Sequence, residues 1–439
     1  MNKQYFIETY GCQMNVAESS ALEKKLHDAG WRAASSGEEA DVVLLNTCSV
    51  RKTAENRIWG RLGHFKRLKQ ENRFLLGVMG CMTERLGEDI RKEAHAVDFL
   101  VGTFGKVDFT EALINGKLNR GDAFFGHEEY EFAREHCDSG EFQAMLPIMH
   151  GCDNFCSYCI VPYVRGHEIS RKPDEIIFEL KKIEKAGVKE VTLIGQNVNS
   201  YRFTLEGGSL LDFSGLLRRI LTETKIPWIR FISSNPQDLS DDLIDVISKN
   251  ERICSHIHLP IQHGSTDVLK AMNRKYTRED YLLLVDKMRK NIPDLSLTTD
   301  LLIGFPGERE EDYLLTADLI KKVGFEDAYT YQYNAIEGTA AFSYENQVPE
   351  AEKKRRLADL IEIQRAISSK IKGEYIGKEV TALVEKISRK ADDEVLGRTE
   401  NNQMVVFAGD AGLIGNMCRV KIKGLSGNTF LGEKICLGD

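Results

Sequence analysis

No apolar run in this 439-residue chain approaches the roughly 20 residues that a membrane-spanning helix needs. The opening Met1 to Tyr10 also lacks the charged-then-apolar pattern of a secretory signal, so the cytoplasm is the expected compartment. Positive charge is not in excess either: 59 Lys and Arg stand against 67 Asp and Glu, a net of −8. A nucleic acid partner would therefore be held by local basic patches. Low-complexity segments are missing, and 42% hydrophobic with 29% charged residues is the balance of folded domains, not of a disordered chain. One ordinary core does not accommodate this length, so two or three domains are expected. What is plentiful is cysteine. Ten in an intracellular chain point to metal ligation or redox chemistry ahead of structural disulfides.

Residues 1–130 alternate strand and helix three times. The strands are Tyr5 to Tyr10, Asp41 to Asn46 and Arg73 to Met79, with helices starting near Asn15, Arg51 and Thr83. Near-continuous apolar runs such as Val42-Val43-Leu44-Leu45 suit a buried parallel sheet, so this segment is an open α/β layer. A second α/β series fills residues 138–370, with strand-like runs at Met145 to Met149, Glu190 to Ile194, Trp228 to Ile232, Cys254 to Leu259, Leu295 to Ile303 and Ala328 to Tyr333. Six strands alternating with amphipathic helices predict a partial or complete α/β barrel. A long helix from Pro349 to Lys372, carrying Lys353-Lys354-Arg355-Arg356, reads as the hinge into a last unit. In residues 373–437, short strands and glycine turns predict a small β-barrel.

Cys152, Cys156 and Cys159 follow the first strand of the central series at Cys-x3-Cys-x2-Cys spacing. Thiolates are the soft ligands that iron-sulfur clusters require, and three of them leave one iron of a four-iron cluster open for a ligand. Zinc is the alternative, although a fourth ligand at zinc-finger spacing is lacking; Cys137, His150 and His167 are the nearest stand-ins. Cys12, Cys48 and Cys81 each lie just beyond the C-terminal end of a predicted parallel strand, and a doubly wound sheet brings such ends to one edge. Glycines before Cys12 and Cys81 would allow close backbone approach to a bulky group. Shared ligation and ordinary burial of three cysteines both fit this spacing.

The triplet resembles the signature of radical-SAM enzymes, whose open iron binds S-adenosylmethionine (SAM). The resemblance continues through polar residues at successive strand ends: Gly195, Gln196 and Asn197; Ser233 and Ser234; Gln262 and Ser265; and Asp300 ahead of Gly304-Phe305-Pro306-Gly307-Glu308. These are the implied cofactor-binding residues, placed where a barrel binds its ligand. Each alone would also suit a helix cap or turn. Glu8 to Asn15, Asn46-Thr47-Cys48, Gly80-Cys81-Met82 and Gly151 to Gly166 together resemble the radical-SAM methylthiotransferase family over nearly the whole chain.

That resemblance implies an auxiliary 4Fe-4S cluster on Cys12, Cys48 and Cys81, a catalytic one on Cys152, Cys156 and Cys159, and SAM as both methyl and radical source. It further implies a C-terminal RNA-binding TRAM barrel, through Ile376 to Val380 and Asn428 to Glu433. Cys12-Gln13-Met14-Asn15 looks like the branch that methylthiolates carbon 2 of isopentenyladenosine beside the tRNA anticodon. Ribosomal protein or threonylcarbamoyladenosine tRNA are the alternative substrates, and a non-catalytic iron-sulfur RNA-binding protein is the alternative class. The implied partners are the tRNA anticodon stem-loop and electron and sulfur donors of unknown identity, with no membrane and a monomeric enzyme.

Two positions depart from the family pattern: Ile336 stands where an arginine is usual, and His150 where a glutamate is usual. The segment Arg51 to Arg73 interleaves eight basic residues with Trp59 and Phe65, which suits either phosphate contact or a solvated helix face. Cys137, Cys254, Cys418 and Cys436 read as ordinary residues. His256, His258 and His263 cluster around one strand, where polar packing explains them and a metal site would also fit.

Overall fold

The computed structural model describes residues 3–49, 52–126, 130–132 and 141–435; Arg51, Cys137 and Cys436 lie outside them. The first unit carries strands β1 (Gln4–Thr9), β2 (Arg32–Ala33), β3 (Val42–Thr47), β4 (Leu75–Gly80), β5 (Phe99–Val101) and β6 (Ala123–Phe124). They form one parallel sheet in the order β2-β1-β3-β4-β5-β6. β3 is buried along its whole length, as its apolar run requires of a central strand. Helices α1 (Gln13–Asp28), α2 (Lys52–Glu71), α3 (Cys81–Glu93) and α4 (Lys106–Ile114) connect these strands. β2, β5 and β6, of two or three residues, are too short to leave a readable period and were not anticipated.

The central unit begins with β7 (Gln143–Pro147), then the two-residue β8 (Met149–His150), which pairs with β9 (Ile169–Ser170). The run Met145 to Met149 is thus divided: β7 ends at Pro147, which has no N–H to donate. β10 (Glu190–Ile194), a small hairpin of β11 (Arg202–Thr204) and β12 (Leu210–Asp212), β13 (Trp228–Phe231), β14 (His256–His258), β15 (Ser296–Ile303) and β16 (Asp327–Gln332) follow. Helices α5 (Val161–Arg165), α6 (Pro173–Lys185), α7 (Phe213–Glu223), α8 (Asp241–Ser248), α9 (Thr266–Ala271), α10 (Arg278–Asn291) and α11 (Glu310–Val323) pack around them. The strands make two parallel sheets, β13-β10-β7 and β14-β15-β16, joined by a bridge between Ile229 and Ile253. Among the described residues no pairing joins β16 back to β7, so the barrel is partial.

The predicted hinge helix is α12 (Glu350–Gly373), but it belongs to the central unit. Lys353 and Arg356 are buried: Lys353 Nζ donates to the Tyr333 carbonyl at 3.2 Å, and Arg356 Nη1 to Glu308 at 2.8 Å. Gln364 and Ser368 bind the carbonyls of Phe325 and Glu326. Beyond it β17 (Glu379–Ile387), β18 (Glu394–Thr399), β19 (Met404–Ala408), β20 (Met417–Ser426) and β21 (Thr429–Lys434) close a barrel in the order β17-β18-β19-β21-β20.

This small barrel sits against the N-terminal ends of the central strands. Arg230 reaches from β13 to the carbonyls of Glu400 (2.6 Å) and Thr399 (2.7 Å) while Nε donates to Glu190 at 2.6 Å. Trp228 and Cys254 pack with Leu383 and Met417 beside them. The opposite, C-terminal ends of the strands are left for chemistry. Among the described residues no helix is long and apolar enough to cross a membrane.

Candidate active site

β1, β3 and β4 are neighbours and parallel, so their C-terminal ends lie side by side. Cys12 caps α1 just past β1, Cys48 follows β3, and Cys81 opens α3 directly after β4. Glycine is required at two of these ends. At Gly11 (φ +115°) a Cβ would stand 2.4 Å from Cys48 Cβ, and at Gly80 (φ +96°) 2.6 Å from the Thr47 carbonyl. Asn15 ties the loops together, its Nδ2 donating to the carbonyls of Tyr10 (2.8 Å) and Thr47 (2.9 Å). Asn46 returns a bond to the Asn15 carbonyl (2.9 Å), and Thr47 Oγ1 donates to the Met79 carbonyl (2.7 Å).

Cys152, Cys156 and Cys159 occupy the loop between β8 and α5, with Cys156 buried. The loop is pinned by the end of β10 and by the end of α9. Gln196 accepts from the Gly151 N–H at 2.6 Å, Ser157 N and Oγ donate to the Met272 and Ala271 carbonyls, and Asn273 donates to the Phe155 carbonyl at 2.8 Å. Asn154 Nδ2 donates to Cys152 Sγ at 3.3 Å, and Arg274 Nη1 to Cys156 Sγ at 3.4 Å. Burial pushes the Cys152 thiol up to about 11; burial and the neighbouring Cys156 push Cys159 up to about 12.

The two cysteine-bearing segments meet at Cys81. Cys81 packs with Ile160, the residue after Cys159, and with Val164 and Ile336. Arg165, on the same α5, is buried and donates from Nε to Cys81 Sγ (3.2 Å), from Nη1 to Glu18 Oε1 (2.9 Å) and from Nη2 to Asn15 Oδ1 (2.9 Å). Lys106 pairs with the other oxygen of Glu18. Burial raises the Glu18 carboxyl, but Arg165 and Lys106 outweigh it and bring it down to about 2. Burial, reinforced by Arg165, drives His150 well below the usual imidazole range, and its ring stacks on Tyr130 at 3.5 Å between centroids. Both departures from the family pattern therefore sit around Cys81 and Arg165. A neutral imidazole and an isoleucine in place of glutamate and arginine leave the formal charge there unchanged.

These thiols suit metal-bound thiolates. Burial keeps free thiols protonated, and a bound cationic metal is what removes that proton. Among the described residues no three His, Cys, Asp or Glu close tightly enough to hold a single metal ion. A four-iron cube places each thiolate on its own iron, so its ligands need not share one point.

The strand-end residues divide into two groups. Gln196 contacts the loop at Gly151, and Ser233 (φ 70°) and Gln262 (φ 75°) hold left-handed backbone that non-glycine residues seldom adopt. Ser234 Oγ and Asn197 Oδ1 are buried without a partner among the described residues, while Asn197 Nδ2 donates to Asp238 at 2.7 Å. At Gly195 a Cβ would meet Met149 Cγ at 2.4 Å. Ser265 differs: it is buried and its hydroxyl donates to Asp312 at 2.7 Å, a framework bond. Asp300 lies 3.5 Å from His258 Nε2. The histidines are packed by polar partners, His256 and His258 by Thr298, and His263 by Glu308 and Thr316.

Sequence reasoning missed Arg165, Arg274 and Glu18. Arg165 stands within the Gly151 to Gly166 motif, but that motif assigned it no contact with the N-terminal cysteines. The basic helix α2 uses much of its charge internally: Arg61 on Glu8, Lys69 on Asp98 and Arg57 over the Tyr10 ring. Phe65 is buried, leaving Lys66 and Arg67 on the exposed face.

Family comparisons match three segments: Uncharacterized protein family UPF0004 over residues 4–102, the Radical SAM superfamily over 146–320 and the TRAM domain over 373–435. The chain is 46% identical over 444 residues to the tRNA-2-methylthio-N(6)-dimethylallyladenosine synthase of Treponema denticola, covering 97% of this chain and 98% of the relative. The synthase of the same name from Thermoanaerobacter pseudethanolicus is 43% identical, covering 99% and 93%. Among solved structures, the radical S-adenosylmethionine methyltransferase TsrM from Kitasatospora setae superimposes with a TM-score of 0.57 at 13% identity, over 78% of this chain and 77% of that one, a likeness of fold.

Proposed function

This chain belongs to the tRNA-2-methylthio-N(6)-dimethylallyladenosine synthase family of radical-SAM enzymes, and from that premise we propose that its two cysteine sets hold two 4Fe-4S clusters facing one tRNA base. The enzyme is a tRNA methylthiotransferase, using SAM and 4Fe-4S chemistry. The observation that supports the assignment of residues is the packing of Cys81 on Ile160, the residue after Cys159. When bound, the clusters and SAM supply the sulfur, the methyl group and the radical that activates carbon 2 of the adenine, since that carbon-hydrogen bond has no useful acidity.

The chain's own residues then have distinct tasks. Arg274 and Asn154 donate to the sulfurs of Cys156 and Cys152 and fix the loop. Gln196, Ser233, Ser234 and Gln262 line the strand ends where SAM would lie, and Ser234 Oγ offers a buried hydroxyl with no partner among the described residues. Ser265 supports that wall through Asp312. The target base must leave its stack to reach a site between two units, and the C-terminal barrel supplies the RNA grip. Units of 1–130, 138–370 and 373–437 follow from the same reading. The test is nucleoside mass analysis of tRNA from cells with and without the protein. Selective loss of the methylthio form of isopentenyladenosine is expected; unchanged methylthiolation overturns the reading.

A further inference from the structure

Cys81 sits in the N-terminal unit, yet the group that touches its sulfur comes from the central unit. Arg165 ends α5, the short helix that follows Cys159. Its planar fork reaches all three N-terminal cysteine loops: Cys81 directly, and the backbones leading into Cys12 and Cys48 through Asn15, which binds the Tyr10 and Thr47 carbonyls. A lysine could not make these divergent contacts at once. Arg165 and Lys106 both pair with the single buried carboxylate of Glu18. The guanidinium thus lies directly on the sulfur of Cys81, next to thiolates that would make any bound iron-sulfur group anionic.

We propose that Arg165 is a positioning residue shared by the two cysteine sets, and that its guanidinium raises the reduction potential of the cluster held by Cys12, Cys48 and Cys81. This rests on the reading of those cysteines as cluster ligands. A donor to a ligating sulfur and a nearby buried cation both favour the more negative, reduced state. Glu18 acts in the opposite sense. The same contact couples the sets mechanically, because a shift of the Cys152 to Cys159 loop displaces α5 and with it the guanidinium on Cys81.

The test uses full-length protein in which Cys152, Cys156 and Cys159 are replaced by Ala, leaving one cluster to titrate by electron paramagnetic resonance. Arg165→Gln is expected to lower the reduced-to-oxidised ratio at fixed potential at least tenfold, about 59 mV for one electron. Glu18→Gln, nearly isosteric, is expected to move it the other way, and Arg165→Lys to give a smaller drop than Arg165→Gln. A merely structural role does not produce shifts of opposite sign. If Arg165→Gln fails to fold by circular dichroism, Glu18→Gln decides: an unchanged or lowered potential overturns the proposal. A parent protein without about four irons overturns the ligand reading and this inference with it; a normal cluster with no shift in any variant overturns the role of Arg165 alone.

Discussion

Replacing Arg230 with Met is expected to release the C-terminal barrel from the floor of the central one. Arg230 is 5% exposed and Glu190, its partner at 2.6 Å, is 4% exposed. Removing one member of such a pair leaves a buried charge uncompensated, a cost of about 3–5 kcal/mol. The carbonyls of Thr399 and Glu400 lose their donor as well, at roughly 1 kcal/mol each unless water replaces it. The docked state alone suffers this loss, so the open population should rise by about two to five powers of ten. Cys254 reports it. It is 3% exposed between Trp228 and Leu383, and burial pushes its thiol up to about 12, so it resists alkylation while the barrel is docked. Iodoacetamide labelling of the Cys254 peptide, read by mass spectrometry, should accelerate at least a hundredfold, roughly, in Arg230→Met. Adding Glu190→Gln should recover much of the loss, because no unpaired charge then remains. Iron content should stay constant, since both cysteine sets lie at the other ends of the strands. Labelling accelerated by less than about fivefold, equivalent to roughly 1 kcal/mol, would refute the reasoning.

Anaerobically reconstituted protein should bind about eight irons, and Ala at Cys152, Cys156 and Cys159 together should leave about half; full retention in iron assays removes the two-cluster assignment. Ala at Cys12, Cys48 or Cys81 should abolish methylthiolation while sparing at least part of reductive SAM cleavage. Equal loss of both, in folded protein with its other cluster intact, defeats the separation of roles. Metal-free protein keeps the raised thiols of Cys152 and Cys159 protonated until about 11 and 12. Ligation must remove those protons, so iron uptake by the loop should be faster at about pH 9 than at about pH 7, and a flat profile counts against burial as the controlling factor.

Much of this architecture was legible because its signals are local. Val42 to Leu45 announces a central parallel strand, and Cys12, Cys48 and Cys81 at three strand ends imply a shared edge once the sheet is assumed. The closing barrel was legible from its glycine turns. The rest depends on contacts far apart in sequence. Nothing local marks Arg165 as buried, because its partner Glu18 lies 147 positions away. Ser265 shares its strand-end position with Gln262, and the Asp312 carboxylate that binds its hydroxyl comes from the start of α11. The helix carrying the basic run, α12, read as a hinge because the Glu308 that buries Arg356 stands 48 positions earlier.

The seating of the small barrel on the strand starts, with every proposed ligand at the strand ends, separates two kinds of change. About five residues of strand, roughly 17 Å, intervene. Substitutions in the Thr399 to Gln403 turn can drift, adapt to a new RNA or be repaired by neighbours without reaching a thiol. Nothing comparable holds at the other end, where Arg165 binds Cys81 and follows Cys159 by six positions. There a change in either cysteine set reaches the other through one shared guanidinium.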